Sequence, residues 1–94
     1  MTKEQLRQEA ENDPLDIIRM LRVSYIHKKR SSLKVRICIS NRISVNINIP
    51  YPYSYYKKRV LKYGKTLNDA VYSCAEEVLT KYGEYFNGII LTDE

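Results

Sequence analysis

Two stretches in the middle of this chain alternate between apolar and polar side chains at every second position. Val35, Ile37 and Ile39 alternate with Lys34, Arg36, Cys38 and Ser40, and Ile43, Val45, Ile47 and Ile49 alternate with Arg42, Ser44, Asn46 and Asn48. A period of two built from β-branched residues predicts two half-buried strands. The short polar link Ser40-Asn41-Arg42 predicts a hairpin in which Asn41 adopts a positive φ. Upstream, Leu21, Val23 and Tyr25 alternate with Arg22, Ser24 and Ile26. This predicts a third strand running into a polar loop from His27 to Ser32, although Ile17 to Tyr25 can also be drawn as helix. Beyond Ile49, Pro50 and Pro52 rule out a central strand.

From Thr66 the period changes to that of a helix. Leu67, Ala70, Val71, Cys74, Ala75, Val78, Leu79 and Tyr82 fall on one face, while Asn68, Ser73, Glu76, Glu77, Thr80 and Lys81 point away. Thr66 and Asp69 stand in capping-box spacing, and Gly83 is the expected stop. Thr2 to Asn12 is a polar stretch of good helix formers, with Asp13-Pro14 as cap and first position of a further turn. An apolar helical stripe of this width must pack on an apolar surface, and the Val/Ile face of the sheet is the one that matches. The expected fold is α+β: a three-stranded antiparallel sheet packed on a C-terminal amphipathic helix, with a short N-terminal helical extension. Residues 1–16 form that acidic extension, 17–86 the domain and 87–94 a C-terminal tail.

Charge then gives the sheet a direction. From Ile17 to Lys65 the chain holds thirteen Lys or Arg and no Asp or Glu, while the flanking segments are acidic; the net charge is +5. A basic block of this kind inside a small domain is the electrostatic footprint of a polyanion partner, nucleic acid foremost. The sheet face away from the helix would present Arg22, Ser24, Lys34, Arg36, Cys38, Ser40, Arg42, Ser44, Asn46 and Asn48. Arg and Lys suit phosphate or guanine, Asn pairs with adenine, and Ser bonds to either. The bland alternative is the wet side of a one-sided sheet. His27, Lys28, Lys29 and Arg30 in the loop, with Lys57, Lys58 and Arg59, are assigned to phosphates. The tyrosines at 51, 53, 55 and 56 are read either as a stacking platform or as rings covering the end of the core.

Other chemistry is not expected. His27 is the sole histidine, and no paired carboxylates, nucleophile motif or Gly-rich phosphate loop accompanies it. Cys38 and Cys74 lack disulfide or zinc spacing and are expected as free thiols. The chain is therefore read as a non-enzyme with no cofactor, no metal and no small-molecule substrate. No apolar run reaches the about 20 residues of a membrane span, and the N-terminus has no signal-peptide stretch, so an intracellular place away from the membrane is expected.

The stretch from Leu21 to Ile47, then Lys62-Tyr63-Gly64-Lys65-Thr66-Leu67-Asn68-Asp69-Ala70 and the helix ending Lys81-Tyr82-Gly83-Glu84-Tyr85-Phe86, resembles an AP2/ERF-type DNA-binding domain of the apicomplexan or phage kind. Val23, the loop Lys28 to Arg30, the strand Val35 to Ile39, the turn Asn41-Arg42, the pair Tyr63-Gly64, Ala70 and Ala75 follow the family order over about residues 20 to 86. Arg22 and Leu33 stand where the family usually has Gly and Trp, and Pro50 to Leu61 reads as an insertion after the third strand. The resemblance implies sequence-specific binding of double-stranded DNA by the sheet, in transcription regulation or mobile-element targeting, and leaves room for a homodimer. Its DNA contacts would fall on Ser24, Lys34, Arg36, Arg42, Ser44 and Asn46, with Lys28, Lys29 and Arg30 on phosphates. A eukaryotic protein of this kind would be nuclear and any other cytoplasmic in its host cell. Two other readings stay open. One is a double-stranded RNA-binding domain, which also has helix, three strands and helix in that order, with Lys57-Lys58-Arg59 and Lys62 as phosphate clamp. The other is a small viral-type interaction or inhibitor protein whose basic face meets an acidic protein.

Overall fold

The computed structural model describes residues 1–50 and 58–92. Its elements are α1 (Lys3–Asn12), α2 (Pro14–Ser24), β1 (Lys34–Ile39), β2 (Ile43–Ile49), β3 (Lys58–Gly64) and α3 (Leu67–Tyr82), the last followed by a 3-10 turn, Gly83–Tyr85. The three strands form one antiparallel sheet in the order β1-β2-β3. The fold is α+β, with α3 lying across β2 and β3, and α1 and α2 packed on α3.

Two predicted elements move. Residues 21–26 do not form a strand: Pro14–Ser24 is helical, with Asp13 Oδ1 accepting from Asp16 N at 3.3 Å and proline in the first turn. Ile17, Ile18, Leu21 and Tyr25 are buried while Val23 is 64% exposed. The spacing 17, 18, 21, 25 is helical, and it outweighs the short alternation of residues 21–26. The third strand comes instead from Lys58–Gly64, of which the part up to Leu61 reads from sequence as the end of an insertion. It is an edge strand, so the prolines before it deprive the sheet of no central ladder bond.

The registers give each face in rows. Toward α3 stand Val35–Ile47–Val60, Ile37–Val45–Lys62 and Ile39–Ile43–Gly64. Val45, Ile47 and Val60 are buried, whereas Ile39, at the hairpin end of β1, is 68% exposed. Lys62 breaks the apolar pattern at a covered position. Its ammonium reaches Glu77 of α3 at 3.1 Å. The α3 stripe is buried as expected at Ala70, Val71, Cys74, Ala75, Val78 and Leu79, and Tyr72 joins it because α1 covers a second side of the helix. Arg7 of α1 stacks on the Tyr72 ring, 4.1 Å from its centroid.

The helical extension belongs to the same core, since Leu6 and Ala10 of α1 are buried with the α3 residues. Thr2 and Gln5 complete a capping box at its start. Near the other end of the chain Thr92 N donates to Met1 O at 2.9 Å, and Lys3 N to Thr92 O at 3.2 Å.

Two turn expectations change as well. Asn41 does not take a positive φ, a conformation that among the described residues belongs to Gly88 (φ 82). Gly83 is in right-handed helical conformation (φ −55, ψ −27) and passes α3 into the 3-10 turn rather than stopping it.

Helix α3 is the keystone, so truncations should sort by burial. Val78→Ala should lower stability by about 1–3 kcal/mol through lost burial and a residual cavity. Glu77→Ala removes only partly exposed pairs to Lys62 and Lys81 and should stay within about 0.5 kcal/mol. Denaturant titration of the two variants measures both.

Candidate nucleic-acid interface

The face turned away from α3 is also built in rows, set by the pairing register. They are Lys34–Asn48–Arg59, Arg36–Asn46–Leu61 and Cys38–Ser44–Tyr63. Backbone alternation makes these nine positions neighbours on one surface. Lys34, Val35, Arg36, Asn46 and Asn48 border a shallow depression of about 220 Å³. In its middle row the Asn46 carboxamide oxygen is shielded from solvent and has no hydrogen-bond partner among the described residues. A shielded acceptor without a donor costs about 1–3 kcal/mol. The sheet therefore carries at its centre a polar group whose bonding is incomplete in the protein alone.

The chain's connections place further cations around this face. β1 and β3 begin, and β2 ends, at the Lys34–Asn48–Arg59 row, and the loop that enters β1 carries the exposed Lys28, Lys29 and Arg30. Lys28 Nζ donates to Val23 O at 2.8 Å, which ties this loop to the C-terminal end of α2. At the opposite end the hairpin carries Arg42, whose guanidinium lies 5.6 Å from the Tyr63 ring centroid. Arg42, Tyr63 and Lys65 border a second depression there.

Among the described residues the acidic side chains are confined to the other layer. Glu4, Glu9, Glu11, Asp13, Asp16, Asp69, Glu76, Glu77 and Glu84 all sit on the helices, their caps or the 3-10 turn. Several neutralise cations of that layer: Asp16 pairs with Arg19, Glu76 with Lys3 at 3.6 Å, and Glu77 with Lys81 at 3.7 Å. The Arg19 hydrogen bond holds the Asp16 carboxyl below its ordinary value. No acid stands in the three rows of the open face, so its positive potential is undiluted.

The structure brings together Lys34, Arg36, Ser44, Asn46, Asn48 and Arg59, with Arg42 at the rim. It removes others. Arg22 and Ser24 are on α2, not on the sheet; the Ser24 hydroxyl donates back to Met20 O at 2.7 Å within its own helix. Lys58 shares the parity of Ile49 and Val60, and its ammonium lies 5.6 Å from the Tyr85 ring, away from the open face. His27 packs edge-on against Tyr25 and tilted against Tyr85, with ring centroids 6.0 and 6.1 Å away, so its ring is part of a structural corner in the loop. Of the clamp read for duplex RNA, Arg59 faces the open side and Lys58 and Lys62 the other, with Lys62 paired with Glu77, while the order of helix, three strands and helix on which that reading rests is the order of α2, β1 to β3 and α3. Lys57 and the tyrosines at 51, 53, 55 and 56 lie outside the described residues.

Leu61 and Tyr63 were missed from sequence. The alternation Arg59, Leu61, Tyr63 against Val60, Lys62, Gly64 was present, but a lysine at a covered position hid it. The two thiols differ sharply. Cys38 is exposed in the open face, whereas burial pushes the Cys74 thiol up to about 12, and its Sγ lies 3.5 Å from Val60 O. Among the described residues no cluster of three metal-ligating side chains occurs, and no helix is long and apolar enough to cross a membrane. No family model, no curated protein and no solved structure matches this chain.

Proposed function

We propose that this chain is a sequence-specific double-stranded DNA-binding protein of AP2-like architecture that lays the open face of its sheet into the major groove, in transcription regulation or as the targeting part of a mobile-element protein. The observation that carries this reading is the acid-free open face, with Arg36, Asn46 and Asn48 at its centre and Lys34, Arg42 and Arg59 around them. Three strands about 4.8 Å apart span roughly 10 Å from first to last backbone, within the roughly 12 Å width of the groove of B-DNA. Same-face residues along a strand are about 6.7 Å apart, close to two base-pair steps, so successive rows address alternate steps. Arg36 is suited to a guanine edge and Asn46 and Asn48 to adenine, while the rim cations and the 28–30 loop hold phosphates. The first strand of the AP2/ERF resemblance, around Val23, is helical here, so a three-strand-then-helix order is met only with β1, β2 and β3 in place of the strands that the resemblance gives, and with Tyr63-Gly64 leading into α3. The protein acts by binding and performs no catalysis.

Cys38 is a native reporter for this surface. With duplex DNA at about ten times its Kd, alkylation of Cys38 should slow about tenfold, in step with the fraction left unbound. Duplex RNA at equal phosphate concentration should protect poorly, because its deep, narrow major groove does not admit a sheet. Absence of protection by DNA despite measurable binding would move the interface off this face. Equal protection by RNA would favour the RNA-binding reading, and no binding of either would leave the basic face for an acidic protein.

A further inference from the structure

The open face is not uniformly polar. On β3 it carries Leu61, 41% exposed, and Tyr63, 55% exposed, with the exposed Cys38 in the same row as Tyr63. Leu61 and Tyr63 form an apolar edge along β3, and Cys38 stands on the opposite strand across Ser44. Leu61 is the direct cross-strand neighbour of Asn46, the residue whose shielded oxygen lacks a partner.

We infer that Asn46 and Leu61 together read one A·T base pair, the carboxamide bonding to adenine and the leucine packing on the 5-methyl group of thymine. The inference rests on the proposed major-groove binding and names what that face selects. An A·T pair displays adenine N7 and the N6 amino group on one side of its major-groove edge and the thymine methyl on the other. A carboxamide complements the first side: its oxygen accepts from N6–H and its NH₂ donates to N7. The matching group for the methyl is an apolar side chain one strand spacing, about 4.8 Å, further across the groove. Leu61 occupies that place. Asn46 Oδ1 is shielded as the free protein holds it, so the carboxamide turns outward to meet the base and there gains the donor it lacks among the described residues. A G·C pair offers neither the methyl nor an amino group beside a purine N7.

The test exchanges thymine for deoxyuridine, which removes the methyl and leaves every hydrogen-bonding group. Sites are first selected from a random duplex library, and each thymine in the preferred site is then replaced singly. The native protein should bind one of the substituted duplexes about fourfold more weakly, the value of one buried methyl. Leu61→Ala should bind thymine and deoxyuridine duplexes equally, and Leu61→Met should restore the difference. Asn46→Ala should weaken binding while keeping the preference for thymine over deoxyuridine. Equal affinity of the native protein for every substituted duplex would overturn the inference and leave DNA binding intact. A preference that survives Leu61→Ala in a protein of unchanged melting temperature would also overturn it, by placing the methyl contact elsewhere. Failure to bind any duplex would instead sink the DNA-binding reading itself.

Discussion

Affinity for random-sequence duplex DNA should fall about a thousandfold between about 50 and 200 mM salt, because about six phosphates are neutralised and each releases its condensed counterion. The cations asked to do this are Lys28, Lys29, Arg30, Lys34, Arg42 and Arg59, all at the ends of the open face or in the loop beside it. The expected slope of log affinity against log salt is about minus five. Lys29→Ala should lower its magnitude by about one and weaken all sequences alike, as a phosphate contact does. Arg36→Ala, in the middle row, should cost on the order of 1–3 kcal/mol on the preferred site and relax the preference there. Fluorescence anisotropy across a salt series measures all three. A slope near zero would mean that the basic face does not meet a polyanion, and the DNA-binding proposal would have to be given up.

The largest single loss of stability is expected at Gly64. A Cβ built there would lie 2.6 Å from Ala70 N, 2.9 Å from Thr66 O and 3.0 Å from Ala70 Cα. These are backbone atoms of the first turn of α3, where Ala70 N donates to Thr66 O at 3.1 Å and Ala70 is buried. They cannot rotate aside as a flexible side chain would. Gly64→Ala must therefore pry β3 from the start of α3 or open that first helical bond, and should cost about 3 kcal/mol. Gly83→Ala is the control. Its backbone is already right-handed and no atom comes within 4 Å of the added Cβ, so it should be neutral or stabilising by about 0.4–1 kcal/mol through the unfolded chain. Thermal melts that show equal effects at the two glycines would contradict the close β3–α3 approach described here.

Much of the fold was legible because it follows from one-sided burial, which acts locally. β1 and β2 showed their period of two, and α3 its helical stripe with Thr66 as cap, since each element has one wet face and one dry face. The central part of the candidate site came with them: once Val45 and Ile47 point inward, Asn46 and Asn48 must point outward. Residues 14–24 were harder because they satisfy two periods at once. Alternation at Leu21, Val23 and Tyr25 competes with the helical set Ile17, Ile18, Leu21 and Tyr25, and five or six residues of alternation are weak support beside a stripe more than two turns long.

The amino-acid sequence by itself determined the sign of the open face, its central amides and cations, and the amphipathic helix that covers the opposite side, because these depend only on residue type and on the period of burial. The tertiary structure decided which segment completes the sheet. Lys62 stands on the side of the sheet that α3 covers, and its partner there, Glu77, fifteen residues on, comes within 3.1 Å of it when α3 folds back. The backbone of Ala70 can come to rest against the end of β3 only because Gly64 has no Cβ. Both are consequences of the chain folding back on itself, which no local period encodes. They turn β3 into the third strand, bring Arg59, Leu61 and Tyr63 beside Asn48, Asn46 and Ser44, and leave Arg22 and Ser24 on a helix away from the sheet.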